Sequence, residues 1–263
     1  MPAALSVLET ERLLRLIRPG RLLPWLGPAL RGLASRRLKA DVCRYPPEVQ
    51  EGERRYCKGC PQLTGCPHGE TFEPDPPAGA RVLHGQEDAV RPLVIAPAFP
   101  APAAGRPGLA IPVRAVFIGR TAAGHAEAFW TALAEAGRDP SAGLDPDGTT
   151  FLVEEPEDGT LAASWRQVVL PLDISPAGES LARVRVELTG PLLLRTGAPD
   201  GGRRLRTEPG FGDLLRASLR TLGPLFRLYG EGLPEEAFRP LKELAEGVPT
   251  VAARFRMFRQ PKW

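Results

Sequence analysis

Leu109 to Gly137, LAIPVRAVFIGRTAAGHAEAFWTALAEAG, changes its apolar period part-way along. Val113, Ala115 and Phe117 recur at every second residue, the spacing of a half-buried strand. From Ala123 the spacing becomes helical. Phe129, Leu133 and Ala136 fall on one face, and Gly137 is a C-terminal stop. A strand that runs into an amphipathic helix is half of a βαβ unit.

The neighbouring stretches extend this unit in both directions. Upstream, Leu93-Val94-Ile95 reads as a short strand, followed by a loop rich in Pro, Ala and Gly from Pro97 to Gly108. Downstream, the Gly143–Gly148 loop leads into a β-branched strand, Thr149 to Val153. Asp145 and Asp147 in that loop would repel phosphate, so the loop reads as a structural turn. Farther upstream, Gly27 to Lys39 is helical, with Leu30, Leu33, Ala34 and Leu38 on one face. Glu11 to Ile17 is an apolar-rich run that fits a strand or the end of a helix. The order β, α, insert, β, β, α, β predicts an α+β fold, a ferredoxin-like βαββαβ unit of the RRM and RAMP kind. Its core covers 11–156 of a domain at 1–156, with a cysteine-rich insert at 41–80.

A second, incomplete ferredoxin-like unit is expected over 157–263. Ala182 to Arg195 reads as a half-buried strand, with Val184, Val186 and Leu188 against Arg183, Arg185 and Glu187. Phe211 to Tyr229 is a helix with Leu214, Leu215, Leu219, Leu222 and Phe226 on one side. Glu235 to Glu246 is a shorter helix, and Val251 to Phe258 a last strand.

With 43% hydrophobic residues the chain can bury a core. No run of about 18 apolar residues is present, and the first residues lack a signal pattern. A cytoplasmic protein with no membrane partner is the expectation. A net charge of +3 says little about partners, yet its cations are almost all Arg, with Lys only at 39, 58, 242 and 262. Guanidinium groups bind phosphate bidentately and stack on bases; a GC-rich genome also produces this bias.

Cys43, Cys57, Cys60 and Cys66 follow the pattern C-x13-C-x2-C-x5-C, with no cysteine elsewhere. In a reducing compartment such a cluster reads as a metal site before a disulfide frame. Four thiolates suit structural zinc or a 4Fe-4S cluster, and the spacing leaves both open. A closed shell has no position for water, so the metal is a staple for an insert that cannot fold by burial, not a catalyst. His68 could substitute as a ligand but is expected beside the metal rather than on it.

Three stretches resemble a known family. Pro24-Trp25-Leu26-Gly27-Pro28-Ala29-Leu30-Arg31-Gly32 is similar to the "G-x-x-L-R-G" segment that opens the first helix of many CRISPR-associated RAMP proteins. Cys43, Cys57-Lys58-Gly59-Cys60-Pro61, Cys66-Pro67-His68-Gly69 and Phe72-Glu73 resemble the "C…CPL…CPYG…FE" insert of a repeat-processing endoribonuclease family within that superfamily. Phe211 to Tyr229, Leu241-Lys242-Glu243-Leu244-Ala245, and Arg254-Phe255 to Arg259-Gln260 resemble that family's late helix, its "L-x-E-L-A" helix and its "R-x-S-x-R-Q" strand. The resemblance implies binding of CRISPR RNA, and metal-independent cleavage of the repeat by 2′-OH attack to give a 2′,3′-cyclic phosphate. It implies a role in antiviral defence, with other CRISPR effector subunits as further partners. Met257-Phe258 departs from the expected strand pattern, and the later "GG-x-x-G" segment does not appear. A fragment, or a reduced relative that binds RNA without cutting it, are the two expectations that follow.

Within this picture His125, at the start of an amphipathic helix, is the candidate base for a 2′-OH, its alternative being a solvent-facing helix residue. Arg31, Arg36 and Arg37 on the first helix, Arg203 and Arg204 after Gly201-Gly202, and Arg254, Arg256 and Arg259 along the last strand are the candidate RNA contacts. A metal-stapled protein-interaction module is the competing reading.

Overall fold

The computed structural model describes residues 3–45, 57–76, 89–145, 147–156, 163–170, 185–188, 194–197, 203–230 and 238–255. Its centre is one long strand, β1 (Ala3–Leu16). Antiparallel to it on one side runs β5 (Ala110–Ile118), with Val7 opposite Ile118 and Arg15 opposite Ala110. Beyond β5 lies β3 (Leu93–Pro97). The other side of β1 is shared end to end. β6 (Phe151–Glu154) pairs with Leu13–Leu16, and β7 (Ala163–Leu170) pairs with Ala3–Thr10. The order is β3-β5-β1-β6, with β7 also paired to β1, all antiparallel. A short ladder, β2 (Gly20–Arg21) with β4 (Ala104–Gly105), lies apart.

Helix α1 (Gly27–Val42) crosses between β1 and β3; α3 (Arg120–Gly124) and α4 (Ala126–Arg138) cross between β5 and β6. The two βαβ connections interleave in one sheet, the arrangement expected from the order of apolar periods. The helical run expected from Ala123 to Gly137 breaks at His125, which caps α4.

β1 shows why its first half was hard to read. At its C-terminal end the even residues Leu14 and Leu16 are buried, at 0% and 1% exposure, beneath α1 and α4. At its N-terminal end the odd residues Leu5 and Val7 are buried on the opposite face, with Ile118, Leu219 and Phe226. That face is covered by α5 (Phe211–Tyr229), near which α6 (Arg239–Glu246) packs. The buried phase therefore switches within one strand.

Under α1 and α4 the core is aromatic. Phe129 meets Phe117 edge-on at 5.5 Å and Trp130 at 5.0 Å. Trp130 Nε1 donates to Thr10 Oγ1 at 3.0 Å, and Arg12 lies 5.7 Å from the Trp130 ring. The Asp145 turn is structural. Its carboxylate accepts from Thr149 N at 3.0 Å and from Thr149 Oγ1 at 2.6 Å.

Two expected strands are corrected. At 185–188 there is no strand, and Val186 and Leu188 are exposed; the expected strand's remaining residues, Arg195 apart, are undescribed or irregular. Val251–Phe255 is likewise not paired, with Val251 76% exposed, and 256–258 lie outside the described residues. Alternation marks a strand only where a neighbouring strand and a covered face exist, and the described residues supply neither. Arg195 instead begins β8 (Arg195–Gly197), which pairs with β9 (Arg203–Leu205) as an antiparallel ladder.

Candidate metal centre and nucleic-acid interface

The described residues of the insert between 57 and 76 hold two similar turns and one short helix. In Cys57-Lys58-Gly59-Cys60, Cys60 N donates to Cys57 O at 2.9 Å and Gly59 has φ +67°. In Leu63-Thr64-Gly65-Cys66, Cys66 N donates to Leu63 O at 3.0 Å and Gly65 has φ +77°. Each turn needs a left-handed residue just before its cysteine, and glycine takes that conformation without a Cβ clash. α2 (Pro67–Phe72) follows, with Cys66 as its N-cap; Gly69 N donates to Cys66 Sγ at 3.5 Å.

All four cysteines, with His68 and Lys39, line one cavity of about 410 Å³ beside the end of α1. Only Cys57 belongs to a compact donor group. Its Sγ, a His68 ring nitrogen and a Glu73 carboxylate oxygen lie within 4.8 Å of one another, the one such trio among the described residues. Glu73 Oε2 also accepts from Cys57 N at 2.6 Å. Burial, then the Glu73 charge, pushes the Cys57 thiol up to about 12. Burial, against the opposing pull of Glu73, lowers His68 to about 4, so its imidazole is neutral at physiological pH. Sulfur and imidazole donors around one cavity fit a zinc-like ion, which Cys57, Cys60, Cys66 and Cys43 or His68 would hold.

Among the described residues, three side-chain hydrogen bonds dock the insert on the core, one of them from Arg91 Nε to Phe72 O at 2.7 Å. His68 Nε2 lies 3.0 Å from Ser35 Oγ on α1. His125 Nε2 lies 2.6 Å from Glu70 Oε2 on α2. Glu70 spends its second oxygen on Gly65 N at 2.8 Å. His125 therefore does not face solvent; its side chain is 18% exposed and tied to the insert. Residue spacing does not mark Ser35, Glu70 or Glu73 as partners, because all three contacts are made by tertiary packing.

The candidate arginines separate by their surroundings. Arg37 is engaged by Asp41 and by Glu135, at 3.1 Å and 2.7 Å. Arg31 is exposed on α1; partial desolvation and then the nearby Arg91 charge lower its pKa. Arg36 and Arg254 are exposed. Arg203 and Arg204 lie in β9, where only their backbone is described; Arg256 and Arg259 lie outside the described residues. On the same face of the sheet as Leu5 and Val7, Glu9 meets Arg114 at 2.9 Å and Arg166 at 3.5 Å, so those guanidinium groups are partnered already.

The AF_1859_N family model, an N-terminal domain, matches residues 5–171. The chain belongs to that family. No curated protein matches the sequence. Among solved structures the chain is similar to Cas6 (TTHB231) in a product complex, at 20% identity and a TM-score of 0.41, over 94% of this chain and 73% of that chain. The span matched to the AF_1859_N family runs from β1 through β7 and takes in the cysteine cavity, Ser35 and the Glu70–His125 contact. Among the described residues, no helix of this AF_1859_N family member is long and apolar enough to cross a membrane.

Proposed function

We propose that this chain is a CRISPR-associated RNA-binding protein of the RAMP type, which holds repeat-containing CRISPR RNA and processes it by metal-independent cleavage. The observation that carries the reading is the meeting of two of its motif stretches, one of them the cysteine insert. α1, which bears Gly27 to Gly32, and the Cys57–Glu73 insert are joined through Ser35 and His68, on an interleaved βαβ sheet. β7 (Ala163–Leu170) pairs with β1, so the second, incomplete ferredoxin-like unit expected over 157–263 begins, in this reading, only after it, and the insert holds a structural metal.

RNA would be tracked by cations not spent on carboxylates. Arg31 with Arg91, and Arg36, lie on or beside α1, and two guanidinium groups close together suit one phosphate. His125 has Nε2 committed to Glu70, which leaves Nδ1 as the atom to take a 2′-OH proton. Cationic donors would then stabilise charge on the phosphorane oxygens.

The first test is binding of a stem-loop repeat RNA across a salt series. Affinity should fall linearly on logarithmic axes, with a slope of about −0.7 to −0.9 per phosphate contact. No affinity even at low salt would end the RNA reading and leave a metal-stapled interaction module. The second test is single-turnover cleavage without added divalent metal. A cut ending in a 2′,3′-cyclic phosphate, slowed by about 100-fold or more in His125→Ala, is the expected result. Binding without any cut would make the chain a non-catalytic subunit that holds CRISPR RNA.

A further inference from the structure

The cavity beside α1 presents more sulfur and nitrogen donors than a tetrahedral ion takes: four cysteines and His68. The arrangement of His68 chooses among them. Its side chain is 1% exposed, and a buried imidazole needs both ring nitrogens engaged. Nε2 faces Ser35 Oγ at 3.0 Å, and Nδ1 faces Cys57 Sγ at 3.3 Å. With its proton on Nε2, the ring donates to Ser35 and turns the Nδ1 lone pair toward Cys57. Ligating histidines use this division of labour: one nitrogen meets the ion while a hydrogen bond through the other fixes the tautomer and the ring plane. Phe72 stacks on the imidazole at 5.6 Å and fixes that plane further.

Cys57, Cys60, Cys66 and His68 also stand on one hydrogen-bonded run. Cys60 N bonds Cys57 O, Leu63 N bonds Cys60 O, Cys66 N bonds Leu63 O, and Glu70 N bonds Cys66 O. Local backbone bonding thus sets the spacing of their backbones, and of the three sulfurs Cys57 Sγ already lies in a compact group with His68. Cys43 enters the cavity separately, from the C-cap of α1.

We propose that His68 binds the metal through Nδ1, with Cys57, Cys60 and Cys66 completing the shell, and that the ion is zinc rather than an iron–sulfur cluster. The proposal rests on the metal reading above and narrows it to one ion and one donor set. Three sulfurs and one nitrogen are an ordinary closed zinc shell, whereas a 4Fe-4S cluster takes four thiolates. Each thiol gives up its proton to solvent as the ion binds, while the neutral imidazole gives up none. Glu73 keeps its oxygen on the Cys57 amide and so holds that turn in place, while its charge opposes the thiolate that the ion must stabilise.

X-ray absorption at the zinc edge of the loaded full chain tests this directly. The expected shell is three sulfurs at about 2.3 Å and one nitrogen at about 2.0 Å. A shell of four sulfurs, or a chain that retains iron in place of zinc, would overturn the proposal and keep the metal reading; a chain that retains neither zinc nor iron would overturn both. Because His68→Ala risks misfolding, two milder variants are added, with zinc affinity read by competition with a chromophoric chelator. Ser35→Ala should weaken zinc by roughly 10–100-fold through the lost ring anchor, and unchanged affinity would count against His68 as a ligand. Cys43→Ser should retain one zinc per chain with the nitrogen signal intact, and loss of zinc there would overturn the donor set.

Discussion

Burial of His68 and Cys57 decides how the metal-free insert responds to acid and base. His68 in the fold accepts a proton only near pH 4, against about 6.5 in an unfolded chain. Between those values the unfolded state binds more protons, so stability falls as pH drops from about 6.5 toward 4. Cys57 works in the other direction. Its thiol holds its proton to about 12, whereas an unfolded thiol releases it near 8.5, so stability falls as pH rises above about 8.5. Thermal unfolding of chelator-treated protein should therefore give a plateau between these limits and a decline on both sides. A Tm that is flat from about pH 4 to 6.5 would contradict the burial of His68. Glu70 is the second lever at this scale. Glu70→Ala removes acceptors for Gly65 N–H and for His125 together, and should cost about 1–3 kcal/mol in denaturant unfolding.

Among the elements, α5 and β1 depend on each other. Phe226 is fully buried between α5 and the Leu5–Val7 end of β1. Phe226→Ala should cost about 3–5 kcal/mol, with amide exchange rising across α5 before it rises in α1 or α4. The same pairing explains what the sequence disclosed and what it hid. Helix α5 was legible end to end, because Leu219, Leu222 and Phe226 keep one face throughout. Strand β5 was legible because Val113, Ala115 and Phe117 all turn to one core. The first half of β1 was hidden, since Leu5 and Val7 are buried toward α5 while Leu14 and Leu16 are buried toward α1 and α4. β7 was hidden for the opposite reason: Trp165, Val168 and Val169 are exposed, so no apolar alternation marks it. At the candidate site, the cysteines were visible as a cluster, while the contacts of His68 with Ser35 and of His125 with Glu70 depend on how α2 docks.

For the whole molecule, zinc should act as part of the fold. A ligand that binds only the native state stabilises it by about 2.7 kcal/mol at a free concentration one hundred times its Kd. Chelation should therefore lower Tm, and graded zinc should restore it with a dependence set by metal concentration. A Tm that ignores zinc would show that the insert holds without it. The placement of β1 has a further consequence, for synthesis in the cell. Every strand that pairs with it lies far downstream in the chain: Val7 bonds opposite Ile118, and Ala3 opposite Leu170. At about 5–20 residues per second, the ribosome needs on the order of ten seconds to deliver those partners. During that interval the most connected strand of the sheet is a bare, leucine-rich ribbon with both edges open. Nascent-chain chaperones should therefore engage β1 while its partners are still unmade, and let go only once β5 has emerged.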